Sequence, residues 1–130
     1  MRHSTFLLIT AILSFVFGAT MFCAPALGAK MIGLAATAET GSVLRGLGGL
    51  IIGSGTINLL LRNQTDINAL RGLLLANIVT HCLGISADIF GVSAGVLTTG
   101  KIAPVEITHL FVGIGSLIYL FKLKSGAVSN

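Results

Sequence analysis

Charge is what this sequence has least of. Of its 130 residues, 8 are Lys or Arg and 4 are Asp or Glu, together 9%, against roughly 25% in soluble domains. So few charges cannot furnish the hydrated surface that a soluble domain of this size requires. Disorder is excluded from the opposite side, because 54% of the residues are hydrophobic and the mean hydropathy is +0.98. There are only two cysteines, Cys23 and Cys82, with no C-x-x-C between them. A membrane thiol oxidase or quinone-linked disulfide enzyme needs paired reactive thiols. These two are instead expected to lie buried and inert within helices. Glycine is plentiful at 17 residues, but the lysine of a phosphate-binding loop does not follow the glycines.

What is present in place of charge is long apolar runs. A membrane-spanning helix needs about 20 mostly apolar residues, and four stretches meet this length: about 5–24, 43–61, 67–90 and 105–123. The alternation of a membrane β-barrel, over segments of about ten residues, is missing from all of them. The expected fold is therefore an all-α, four-helix transmembrane bundle in one domain, 1–130, with short connections. A second reading exists for the amino terminus. Arg2, the run Phe6–Phe22 and Ala24-Pro25-Ala26 resemble a secretory signal with an A-x-A cleavage site. The run is longer than an ordinary signal core and a proline stands inside the motif, so this stretch is taken as a retained span.

Lys and Arg placement sets the orientation. Arg2, Arg62, Arg71, Lys122 and Lys124 fall on one side of the four spans, and Lys30, Arg45 and Lys101 on the other. The first side is expected to be cytoplasmic and to hold both termini. The connections at about 26–42 and 97–104 then face outward.

Two patterns inside the spans stand out. Gly49 and Gly53 form G-x-x-x-G, as do Gly91 and Gly95, and Gly46, Gly49 and Gly53 share one face of the second span. Small residues let helix backbones approach closely in lipid. That face is expected to pack within the chain, with a homodimer seam as the alternative.

The second pattern is polar. Asn77, His81 and Asp88 recur at i, i+4 and i+11 in the third span, with Gly84 at i+7. They fall within about 40° of one another at ~100° per residue. Glu106 and His109 open the fourth span at i, i+3, on the face that continues through Gly113 and Ser116. Arg45 lies near the outer end of the second span and Asn58 near its inner end. Ionisable groups in a membrane face the bundle interior and find partners. The candidate cluster is therefore Arg45, Asn77, His81, Asp88, Glu106 and His109, gathered at the outer mouth with His81 and Asn77 leading toward the midplane.

Three roles fit this cluster. Arg45 could pair with Asp88 or Glu106 and fix helix register. It could head a pocket for a lipid, quinone or other amphiphile whose tail lies in the bundle. Or His81, Asp88, Glu106 and His109 could hold a metal, since E-x-x-H is the ligand spacing of carboxylate-bridged metal helices. That chemistry uses two such helices and two further Glu, and one E-x-x-H is present here, so no metal and no cofactor are expected. An acid–His chain could also relay protons.

The absence of any charge from the first span excludes the embedded acid of small multidrug exporters. The Thr-Phe-Ser-Thr stretch of fluoride channels is missing too. The run Phe22-Cys23-Ala24-Pro25, Gly33-Leu34, Arg45-Gly46-Leu47-Gly48-Gly49, Gly53, Gly55 and Asn58, followed by Ala69-Leu70-Arg71 and Asn77, His81 and Gly84, resembles an uncharacterised family of small four-helix bacterial integral membrane proteins, DoxX-like in appearance. The resemblance covers nearly the whole chain. It implies the four-helix fold and an inner-membrane location, and supplies no catalytic residues. The favoured function is a non-enzymatic scaffold, accessory component or binder of an apolar molecule. A small transporter or a membrane redox or metal enzyme is the alternative. The partners expected are the bilayer, an amphiphile, and a second copy or larger membrane complex, with no nucleic acid.

Overall fold

The computed structural model describes residues 1–124. These form five helices in the order α1 (His3–Cys23), α2 (Pro25–Ile32), α3 (Ala38–Leu61), α4 (Ile67–Ser93) and α5 (Thr99–Lys124). All of them but α2 are long and apolar enough to cross a membrane, which makes the chain an all-α, multi-pass membrane protein. The expected spans fall within these four helices, except that Ala24 caps α1 rather than extending it.

The differences lie in what surrounds the spans. α2 occupies the connection expected at 26–42. Pro25 takes its first position, where a missing N–H is harmless. Gly33 ends it at φ +84, the left-handed conformation that glycine adopts without penalty. Ala24-Pro25-Ala26 is thus the joint between two helices. α3 starts at Ala38 rather than near Val43, because the Thr37 side chain caps it by accepting from the Thr40 N–H at 3.2 Å. α5 starts at Thr99 and runs through Pro104, so the connection expected at 97–104 is shorter. The proline removes one backbone hydrogen bond from a turn whose residues are mostly exposed, and Ile102 is buried there.

Consecutive long helices run antiparallel, and the chain forms two closely packed pairs, α1 with α3 and α4 with α5; the pairs meet each other through fewer contacts. Glycine makes the first pair. A Cβ on Gly48 would stand 2.6 Å from the Gly18 carbonyl oxygen and 2.7 Å from the Phe22 nitrogen. At Gly55 it would stand 2.8 Å from Ser14 Cβ. The packing face is therefore Leu44, Gly48, Gly55 and Asn58, the buried residues of α3. The face expected from Gly46, Gly49 and Gly53 is on the other side. Gly46 and Gly53 have nothing within 4 Å of an added Cβ, and Gly49 only the Phe22 ring at 4.0 Å. From Gly48, the rotations to Gly49, Gly53 and Gly46 are about 100°, 140° and 160°, so the motif turns away from α1. The second G-x-x-x-G is a helix end. Gly95, at φ +72, follows the last turn of α4, with Val96 donating to the Gly91 carbonyl and Gly95 to that of Val92.

The main apolar core lies toward the end that carries the start of α1 and the end of α5. There Phe6 and Leu7 pack with Leu70 and Leu74 of α4 and Val112 and Tyr119 of α5. Met21, Ala29 and Leu44 form a smaller cluster at the α2 end. Elsewhere the large apolar side chains are exposed, among them Val43, Leu50, Leu60, Leu83 and Phe90, as befits surfaces facing hydrocarbon. Cys23 and Cys82 are exposed on this outer surface and unpaired, rather than buried among the helices.

Candidate functional site: a titratable seam between α4 and α5

The seam follows from antiparallel register. Gly113 of α5 lies 3.6 Å (from its would-be Cβ) to His81 Cβ of α4. The His109 ring occupies the notch left by Gly84, where a Cβ would come within 2.6 Å of the imidazole. One turn further toward the α2 end, the Glu106 carboxyl of α5 is the neighbour of the Asp88 carboxyl of α4. The glycines on the two helices thus let imidazoles, rather than aliphatic side chains, fill the interface.

The two histidines touch directly. His81 Nδ1 and His109 Nδ1 are 2.7 Å apart, with ring centroids at 5.0 Å and planes inclined by 60°. A contact this short between ring nitrogens needs one N–H and one lone pair, so at least one of the rings is neutral whenever it is formed. His109 Nε2 lies 4.0 Å from Asp88 Oδ2, which is an electrostatic approach and not yet a hydrogen bond. Asp88 Oδ2 and Glu106 Oε1 are buried without a hydrogen-bond partner. A single proton between the two carboxyls would satisfy both residues, since two facing carboxylates can only accept.

Below the histidines the row ends in amides. Asn58 Nδ2 donates to Asn77 Oδ1 at 3.2 Å, and Asn77 Nδ2 donates back to Asn58 Oδ1 at 2.9 Å. Asn58 also donates to the Ser54 carbonyl at 2.9 Å. Both residues are buried, and their pairing is the polar bridge between α3 and α4. From Asp88 to Asn77 the row descends about 16 Å along α4, at ~1.5 Å per residue.

Of the six residues expected to cluster, five therefore lie along this row. Arg45 does not. It is exposed on α3, and among the described residues it forms no ion pair with Asp88 or Glu106. The reason is rotational. Arg45 precedes Asn58 by 13 positions, which turns it about 140° away from the side that Asn58 presents to α4. The expectation failed in direction around the α3 axis. The metal reading finds no ligand set, since no three His, Cys, Asp or Glu side chains converge among the described residues. Sequence reasoning missed the direct His81–His109 and Asn58–Asn77 pairings. Their signal is register: 81 with 113 and 84 with 109 fix which residues of α4 and α5 share a level.

No protein-family model, no curated protein and no solved structure matches this chain. The fold and the seam together define the class: a multi-pass helical membrane protein with four titratable side chains inside one helix pair.

Proposed function

We propose that this protein is a small proton-translocating membrane protein, of the transporter class, whose seam carries protons between one membrane face and the bundle interior. The observation that carries this reading is the 2.7 Å His81–His109 contact lying next to the Asp88–Glu106 pair. A proton held by the carboxyls can pass to His109 at Nε2. The same ring then releases its other proton from Nδ1 to the Nδ1 lone pair of His81, which restores His109 to neutrality and leaves His81 an imidazolium until it gives up its Nε2 proton to water on the far side. Acid–histidine chains inside membranes characteristically serve as such relays. A scaffold gains little stability from the arrangement, because well-packed apolar residues in place of buried ionic groups are often neutral or stabilising. Arg45, whose pairing would make the cluster a structural ion pair, stands apart from it.

The proposal includes the resemblance to the DoxX-like group, a bacterial inner membrane as the location, and both termini in the cytoplasm, with the charge bias between connections as support. On that orientation the carboxyl pair opens toward the outside.

Proton flux tests the reading. Purified protein in liposomes holding a pH-sensitive dye should acidify the lumen under an inside-negative potassium diffusion potential, faster than protein-free liposomes. His109→Phe, which removes both ring nitrogens, should return the rate to the protein-free level while the protein stays folded. Wild-type flux indistinguishable from that of empty liposomes would overturn the proposal.

A further inference from the structure

The polar row between α4 and α5 stops abruptly. Gly84 lies level with His109, and seven residues along each helix the same antiparallel register sets Asn77 level with Ser116. Ser116 is fully buried and its Oγ has no hydrogen-bond partner among the described residues. One turn nearer the start of α1 the register pairs Leu74 with Tyr119, and one turn beyond that Leu70 with Leu123. These four share one buried cluster, none of them more than 7% exposed. Phe6 and Leu7 of α1 close it from the side, with the Phe6 ring 5.1 Å from that of Tyr119 between centroids. The only polar atom in these six side chains is the Tyr119 hydroxyl, whose proton is committed to the Met1 carbonyl at 2.5 Å. From Asn77 to Leu70 this dry stretch is about 10 Å long, at ~1.5 Å per residue.

We infer that Leu74, Tyr119, Leu70 and Leu123 form an apolar plug that closes the end of the seam nearest the start of α1 and sets the rate of proton passage. The inference rests on the relay reading and names the residues that limit it. The plug stands in line with the row and not beside it. Leu70 is seven residues from Asn77, and Leu123 seven from Ser116, so each falls within about 20° of its polar counterpart around the helix. A proton leaving His81 therefore finds polar side chains only as far as Asn77 and Ser116. Asn77 is already bonded to Asn58 in both directions. Past that level no group can receive the proton, so it crosses only on water that enters the plug. Apolar constrictions gate by expelling such water. Leu74, fully buried directly below Asn77, is the side chain that such water must first get past.

The test uses the full chain in liposomes with an internal pH-sensitive dye, under an inside-negative potassium diffusion potential, with the thermal midpoint of each variant as the check on folding. Leu74→Ser shortens the side chain and adds a hydroxyl that can hold water. It should raise the initial acidification rate about tenfold over the wild type, the effect of lowering a barrier by ~1.4 kcal/mol. Leu74→Met, which keeps the plug apolar and filled, should match the wild type. Leu74→Ser/His109→Phe should fall to the protein-free rate, because the added flux still runs through the seam. Leu123→Ser, at the less buried end of the plug, serves the same comparison should Leu74→Ser not fold, with a smaller rise. Wild-type flux that neither serine variant increases would overturn this inference and leave the relay standing. An increase that survives His109→Phe would also overturn it, since the serine would then have opened a leak outside the seam. No flux from the wild type or from either serine variant would overturn the relay and this inference together.

Discussion

Two asparagines show how single residues decide this molecule. An amide in hydrocarbon without a partner loses its hydrogen bonds to water and gains nothing. Asn58 and Asn77, 1% and 4% exposed, avoid this by bonding each other in both directions. Asn77→Ala strands the Asn58 oxygen, and leaving a buried polar group unsatisfied costs about 1–3 kcal/mol. Helix pairs in membranes return toward the low end of that range, because the unfolded chain also finds partners. The expected result is a lower thermal midpoint for either single alanine variant in detergent, with Asn58→Leu/Asn77→Leu recovering most of the loss. Single variants as stable as the wild type would show that the pair does not join α3 to α4. At this scale the sequence was informative about which residues are costly to bury. Asn77, His81, Asp88, Glu106 and His109 are recognisable as polar groups in apolar runs. It was less informative about which of them meet, because that depends on the register between helices, and Arg45 was misplaced for the same reason.

At the scale of the helix, close approach matters more than hydrophobicity. α1 and α3 touch backbone to backbone at Gly18 and Gly48, and dispersion between such surfaces is what joins helices in lipid, where the hydrophobic effect is spent. Gly48→Leu must push the helices apart, and overpacking of this kind typically costs about 1–3 kcal/mol or more. Gly53→Leu, on the open side of the same helix, should leave the midpoint unchanged within error. Thermal denaturation of the two variants side by side checks this. A Gly53 variant that keeps its stability and loses an oligomer would assign the open face to a second copy. The four spans were legible because length and composition alone define them. α2 was not, since eight residues between Ala24 and Gly33 carry no periodic signal, and its helical state depends on Gly28 and Ala29 docking beneath Met21 and Leu44. The G-x-x-x-G spacing was visible but ambiguous. Gly48 and Gly55, seven apart, and Gly46, Gly49 and Gly53 lie on nearly opposite sides of one helix, and only the position of α1 distinguishes them.

For the molecule as a whole, the consequence of four spans is that its two ends differ. Antiparallel helices place the start of α1, the α3–α4 turn and the end of α5 at one end, and α2 with the α4–α5 connection at the other. The first end holds Arg62 and Arg71 beside the α3–α4 turn, and cationic side chains near short loops are retained on the cytoplasmic side. The carboxyl-terminal position Ser129 lies outside the described residues, so the turn itself is the better reporter. With Cys23 and Cys82 replaced by serine, Gln64→Cys in the α3–α4 turn and Ala36→Cys between α2 and α3 each supply one thiol near an end of the bundle. A membrane-impermeant maleimide added to intact cells should label Ala36→Cys and leave Gln64→Cys unlabelled until the cells are permeabilised. The opposite pattern would invert the protein, place the Asp88–Glu106 pair at the cytoplasmic face, and make that face the proton entrance. Labelling of both positions in intact cells would mean that α3 does not cross the membrane, against the expectation from its length and apolar composition.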